Sequence, residues 1–215
     1  MALVSANILN IMSARENILQ AGLILFSKHG YLGATTKEIA REAGVAEITV
    51  FRNFTSKEKL FEEVINTYSF LPELKGLLPE IEDMPYEQAL TTVAKMLLET
   101  LSSRRDLIQI MLSEIPRYPG KIRKIYHALN DEIIRTLASY FDQMQRKGLL
   151  INFHSEYWTR AFLGMFFSYF MSQEIKMRKK HRDDDAEKTI KEYVKLFVRG
   201  TLRSSQSDMS TGAFS

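Results

Sequence analysis

An all-α protein of about nine helices is what this sequence predicts. Apolar side chains recur at spacings of three and four in almost every segment between breaks, which is the helical period. No stretch alternates apolar and polar residues for long enough to be assigned as a strand. Gly44 also stands between two short segments, Thr35–Ala43 and Ala46–Phe54, as the turn of a helix-turn-helix would.

That stretch, Thr35 to Lys57, organises the rest. Thr35 and Glu38 have the spacing of a capping box, and Ile39, Ala40 and Ala43 give the first helix one apolar face. Gly44 accepts a positive φ without steric cost. The second helix turns Val50, Phe51 and Phe54 inward, and its outer face can enter a DNA major groove. Thr55 and Glu58 suggest a further capping box that starts the next helix at Ser56-Lys57.

The other elements follow in order. Residues 1–12 form an apolar extension without basic residues, which argues against a secretory signal. The first helix runs from about Ser13 to His29, with Ile18, Ala21, Gly22, Leu25 and Phe26 inward, and ends at Gly30. Gly22 costs this helix up to about 1 kcal/mol of propensity. The fourth helix carries Leu60, Phe61, Val64, Ile65 and Tyr68 and fades before Pro72. Residues 70–86, with three prolines and Gly76, suit a connection containing a broken helix. Helices over about Tyr86–Leu101, Arg105–Ile115 and Lys121–Arg146 come next. The helix from Ser155 to about Lys180 has two apolar arcs. One is a seam of mostly small residues, Ala161, Gly164, Ser168, Met171 and Ile175; the other is aromatic. The last helix, about Ala186–Leu202, presents Ile190, Val194, Phe197 and Thr201. These two seams either meet a second copy of the chain or are buried within one chain.

The stretch around the glycine turn resembles the TetR family of transcriptional repressors. Ile18, Ala21, Leu25, Phe26, Gly30, Tyr31, Thr35, Thr36, Ile39, Ala40, Gly44, Val45, Thr49, Phe54, Lys57 and Leu60 carry the resemblance. It implies a DNA-binding domain over residues 1–66, a ligand-binding and dimerisation domain over 67–204, and a polar tail over 205–215. It also places Glu47, Ile48, Thr49 and Arg52 toward base edges, with Lys37 reaching from the preceding helix. Arg52 could then pair with a guanine, and Glu47 could accept from a cytosine amino group. Thr35, Thr36, Asn53 and Lys57 match the family's phosphate-contacting positions, Phe51 stands where a tyrosine is usual, and Ile48 where a small residue is common. The seams on the last two helices match the family's four-helix dimer interface. Met96, Met111, Tyr118, Tyr126, Phe162, Phe166 and Tyr169 are the candidate lining of an effector pocket, and their chemistry suits an apolar or aromatic molecule. The implied function is a dimeric repressor of a palindromic operator, released by a small effector. A DNA-binding activator or global regulator, and a helical enzyme with an inherited DNA-binding domain, are the alternatives.

Charge does not nominate the DNA-binding segment. Overall the chain carries 29 basic and 26 acidic residues, but residues 1–66 carry seven of each. The run Lys176–Arg182 is basic and followed by three aspartates, and reads as a solvated loop. With no cysteine there is no disulfide framework and no thiolate metal site, which fits a cytoplasmic protein. No apolar run is long enough to span a membrane. His29, His127, His154 and His181 form no metal-ligand spacing, and neither a phosphate loop nor a nucleophile elbow is present. His127 and Asp131, one turn apart, read as a surface pair. The sequence therefore predicts no catalytic residue, no metal and no cofactor.

Overall fold

The computed structural model describes residues 13–176 and 183–203. They hold ten α-helices: α1 (Ala14–Gly33), α2 (Thr36–Glu42), α3 (Glu47–Asn53), α4 (Lys57–Tyr68), α5 (Phe70–Ile81), α6 (Tyr86–Ser103), α7 (Arg105–Glu114), α8 (Gly120–Arg146), α9 (Ser155–Phe170) and α10 (Asp183–Thr201). A 3-10 turn, Ile115–Arg117, and a π-helical segment, Met171–Lys176, follow α7 and α9. No strand is present among the described residues, only a single antiparallel bridge between Leu150 and Leu202. No helix among them is long and apolar enough to cross a membrane. The N-terminal extension, the basic run after Lys176 and the polar tail lie outside the described residues.

α5 is one helix where the sequence predicts a connection containing a broken helix. Pro72 stands in its first turn, where backbone N–H groups have no helical partner, and Pro79 stands in its last. Between them Phe70, Leu71, Leu74, Leu77 and Ile81 are buried at helical spacing. Pro79 removes one N–H from the helical ladder, but only two residues follow it before the helix ends. A smaller correction concerns α4, which is capped by Ser56 and not Thr55: the Ser56 hydroxyl accepts the Lys59 N–H at 3.1 Å.

The chain forms two compact units, and the first is discontinuous. It contains the residues up to Ser69 together with Arg104–Ala128; the second contains Phe70–Ser103 and the residues from Leu129 onward. In the first unit α1 packs on α4 and α7, and Ile18, Phe26, Ile39, Leu60, Phe61 and Val64 are fully enclosed. Gly22 explains how closely α1 and α4 approach. A Cβ there would stand 2.9 Å from Val64 Cγ2, well inside contact distance. Gly22→Ala should therefore lower stability by about 1 kcal/mol or more, since overpacking outweighs the gain in helix propensity. Adding Val64→Ala should restore part of that stability in thermal unfolding. A more stable Gly22→Ala single variant would show that this approach distance is soft.

In the second unit α6 packs on α5, α9 and α10. Its centre is aromatic: Phe141 meets Tyr86, Tyr140, Phe153 and Phe197, with centroids 5.6 to 6.5 Å apart. Tyr86 and Thr201 share a hydrogen bond of 3.0 Å between their hydroxyls.

Candidate nucleic-acid interface

The reading head is built from α2, the Gly44 turn and α3. Thr35 caps α2 reciprocally: its hydroxyl accepts the Glu38 N–H at 3.2 Å, and the Glu38 carboxylate accepts the Thr35 N–H at 3.0 Å. Gly44 has φ +68°, so the turn needs the residue that the sequence supplies. Val50 and Phe54 then bury one face of α3.

The opposite face is open, and its residues divide into engaged and unengaged. Ile48 is 59% exposed and Phe51 43%, so the Phe51 ring is not turned into the core as the sequence reading had it. Lys37 and Arg52 are exposed, and Thr49 is half-buried. Glu47 is held inside the motif: the Thr36 hydroxyl donates to its carboxylate at 2.7 Å, tying the start of α2 to the start of α3. Asn53 is likewise occupied, its amide donating to the Thr49 carbonyl at 2.8 Å. The Thr35 hydroxyl also donates to Glu38, at 2.7 Å. Lys57 lies with its ammonium 4.5 Å above the Tyr31 ring. Burial lowers its proton affinity, while the charges of Glu58, Glu114 and Glu38 act in the opposite direction.

Behind this head lies a feature that the sequence reading missed. Gly30 turns the end of α1 with φ +71°, and the Tyr31 N–H exposed by that turn donates to the buried Glu114 carboxylate of α7 at 2.9 Å. Tyr31 and Tyr118 meet edge to face at 6.0 Å, and both rings stand beside Phe61. Burial first, then the Glu58 charge, pushes the Tyr31 hydroxyl up to about 12. Tyr118, expected to line an effector pocket, is 3% exposed within this aromatic cluster, and its buried hydroxyl has no hydrogen-bond partner among the described residues. The signal was present: Leu107, Met111 and Glu114 lie on one helical arc, so the carboxylate belongs to a buried face.

The other sequence-chosen residues separate by unit. Met111 is buried and Tyr126 half-buried in the first unit; Met96 is half-buried, and Phe162, Phe166 and Tyr169 are buried, in the second. Of the seam residues, Ala161, Gly164 and Ser168 are exposed on α9, and Met171 is half-buried. The Ile175 side chain lies outside the described ones. Ile190, Val194, Phe197 and Thr201 of α10 are at most 4% exposed within this single chain. Their face is already filled by the chain's own core, so they cannot present themselves to a partner as the sequence reading had them. The second unit also buries two hydroxyls, of Tyr140 and Thr159, that have no hydrogen-bond partner among the described residues. Asp131, paired in the sequence reading with His127, forms an ion pair with Arg160 at 3.4 Å.

Comparison with known families decides the assignment. Residues 18–64 match the bacterial regulatory proteins of the tetR family, and residues 88–200 match the C-terminal domain of AefR-like transcriptional repressors. The chain belongs to the TetR family. Among TetR-type relatives, it is 29% identical over 185 residues to the HTH-type transcriptional regulator YvkB of Bacillus subtilis, covering 86% of this chain and 95% of that protein. It is 30% identical over 139 residues to the nucleoid occlusion factor SlmA of Vibrio cholerae, covering 62% of this chain and 64% of SlmA. Its fold is similar to that of a TetR-family regulator from Mesorhizobium loti, with TM-score 0.75 at 23% identity, over 88% of this chain and 97% of that one. FadR of Bacillus subtilis, solved with stearoyl-CoA, is similar with TM-score 0.68 at 16% identity, over 86% and 97% of the two chains. Like its TetR relatives, the protein is a DNA-binding transcriptional regulator.

Proposed function

We propose that this TetR protein is a repressor that binds a palindromic operator as a homodimer and is released by a small apolar or aromatic effector. The carrying observation is the division of labour on the reading head. Lys37, Ile48 and Arg52 are exposed along α2 and α3, with Thr49 half-buried between them, while Glu47, Thr36 and Asn53 are spent on one another or on backbone. Arg52 is then the base reader, Ile48 can meet a thymine methyl, and Lys57 lies toward a phosphate. The exposed seam of α9 supports the homodimer: a Cβ at Gly164 would meet nothing within 4 Å, which leaves room for a partner helix. The partnerless hydroxyls of Tyr140 and Thr159, together with Met96, Phe162, Phe166 and Tyr169, support an effector site in the second unit. The AefR-like match over residues 88–200 favours repression over the activator or nucleoid-organising alternative.

The test begins with duplexes selected from random DNA. Arg52→Ala should cost about 1–3 kcal/mol on the selected duplex and relax specificity at one base pair in each half-site. Unchanged affinity and specificity would remove Arg52 as a reader. Ser168→Arg should shift the dimer toward monomer in sedimentation and weaken operator binding together with it; a dimer that persists would place the interface elsewhere. By linkage, an effector that weakens operator binding must itself bind less tightly in the operator complex, by the same factor.

A further inference from the structure

The chain presents a puzzle that the fold answers. Residues 1–66 have no net charge, which is unusual for a segment that must approach a polyanion. The compact unit that holds them also includes Arg104–Ala128, and this second segment carries six basic and two acidic side chains, net +4. Four of the six, Arg117, Lys121, Arg123 and Lys124, cluster at the 3-10 turn and the first two turns of α8, and all are exposed. Among the described residues none of the four forms an ion pair. Ile122, Ile125 and Tyr126 take the inner arc of α8, so Lys121, Arg123 and Lys124 sweep the outer one.

The position of this strip is set by the aromatic cluster. Tyr118, one residue beyond Arg117, packs on Tyr31, and the same Tyr31 ring carries the Lys57 ammonium. The Glu58 carboxylate, beside Lys57, is held below its usual range first by hydrogen bonds from its own backbone N–H and the Ser56 hydroxyl, and the charge of Lys121 adds to this. The strip therefore borders the start of α4, where Lys57 is assigned to a phosphate. Cations within about 10 Å of a phosphate are poorly screened at ordinary salt.

We infer that Arg117, Lys121, Arg123 and Lys124 form a second, sequence-independent contact surface for the DNA backbone, outside the helix-turn-helix. This rests on the DNA-binding reading above and adds to it where part of the affinity originates. Such a surface steers and holds the duplex without reading bases.

The salt dependence of binding tests it. The probes are a duplex selected from random DNA and an unselected duplex of the same length, titrated between about 50 and 200 mM salt. The triple variant Lys121→Gln, Arg123→Gln, Lys124→Gln should flatten the slope of log K against log salt by about 0.9 for each phosphate it no longer neutralises, equally on both duplexes. The charge-keeping pair Lys121→Arg, Lys124→Arg should retain the slope. Arg117→Gln and Lys124→Gln alone, each expected to flatten it by about 0.9, keep the test available if the triple variant folds poorly. An unchanged slope in the charge-removing variants, while Lys57→Ala still flattens it, overturns the inference and leaves the DNA-binding reading intact. So does weakening confined to the selected duplex, or equal weakening in the charge-keeping pair. A wild-type protein that binds neither duplex overturns both.

Discussion

Gly30→Ala is expected to destabilise the first unit by about 2–4 kcal/mol, through two effects that add. The φ of +71° is costly for any residue with a Cβ. That Cβ would also collide with Glu114 Oε1. A carboxylate at the end of a free side chain could move aside, but this one is buried and accepts the Tyr31 N–H. Displacing it strands a buried donor and a buried charge together. Glu114→Ala isolates the second effect and should cost about 1–3 kcal/mol. Glu114→Gln retains an acceptor and should cost less. Denaturant unfolding followed by circular dichroism distinguishes the three. If Gly30→Ala unfolds with the wild-type midpoint, the turn is not constrained in the way described.

Phe141→Ala should cost about 3–5 kcal/mol in the second unit, because a fully enclosed ring would be removed from a closely packed aromatic centre. The sequence provides a local reporter. Trp158 is the single tryptophan, and its ring packs on Phe153 at 5.0 Å and Phe197 at 5.5 Å, both of which touch Phe141. Its fluorescence transition should shift to lower denaturant in Phe141→Ala, whereas Gly30→Ala should affect it less than it affects the circular dichroism signal. Equal shifts in both signals for both variants would mean that the two units unfold as one.

Much of this was legible in the sequence because helices announce themselves locally. The reading head was the clearest case: the Thr35–Glu38 box, the Gly44 turn and the inward Val50 and Phe54 are all set by neighbours within four residues. The failures were of another kind. Whether Ile190, Val194 and Phe197 face a partner or their own core depends on which helices pack against α10, and an apolar arc looks alike in either case. The aromatic cluster around Tyr118 was not legible because its neighbours, Tyr31 and Phe61, are distant in the sequence. The hydrogen bond that the Thr36 hydroxyl donates to Glu47 was equally hidden, because it crosses a turn. The charge of the DNA-binding unit could not be summed until the fold showed which residues belong to it.

The discontinuity of that unit also has a consequence in time. A nascent chain that has emerged only as far as Ser69 has all of α1 to α4 but neither the Glu114 acceptor nor the Tyr118 ring. At ~5–20 residues per second, the roughly 50 residues from there to Tyr118 take ~2–10 s to synthesise. Through that interval Phe61 and Tyr31 lack a wall and the Tyr31 amide lacks its partner. The reading head is thus made well before the unit that holds it can be finished, and a ribosome that stalls before α7 would leave a DNA-binding motif without the residues that close it.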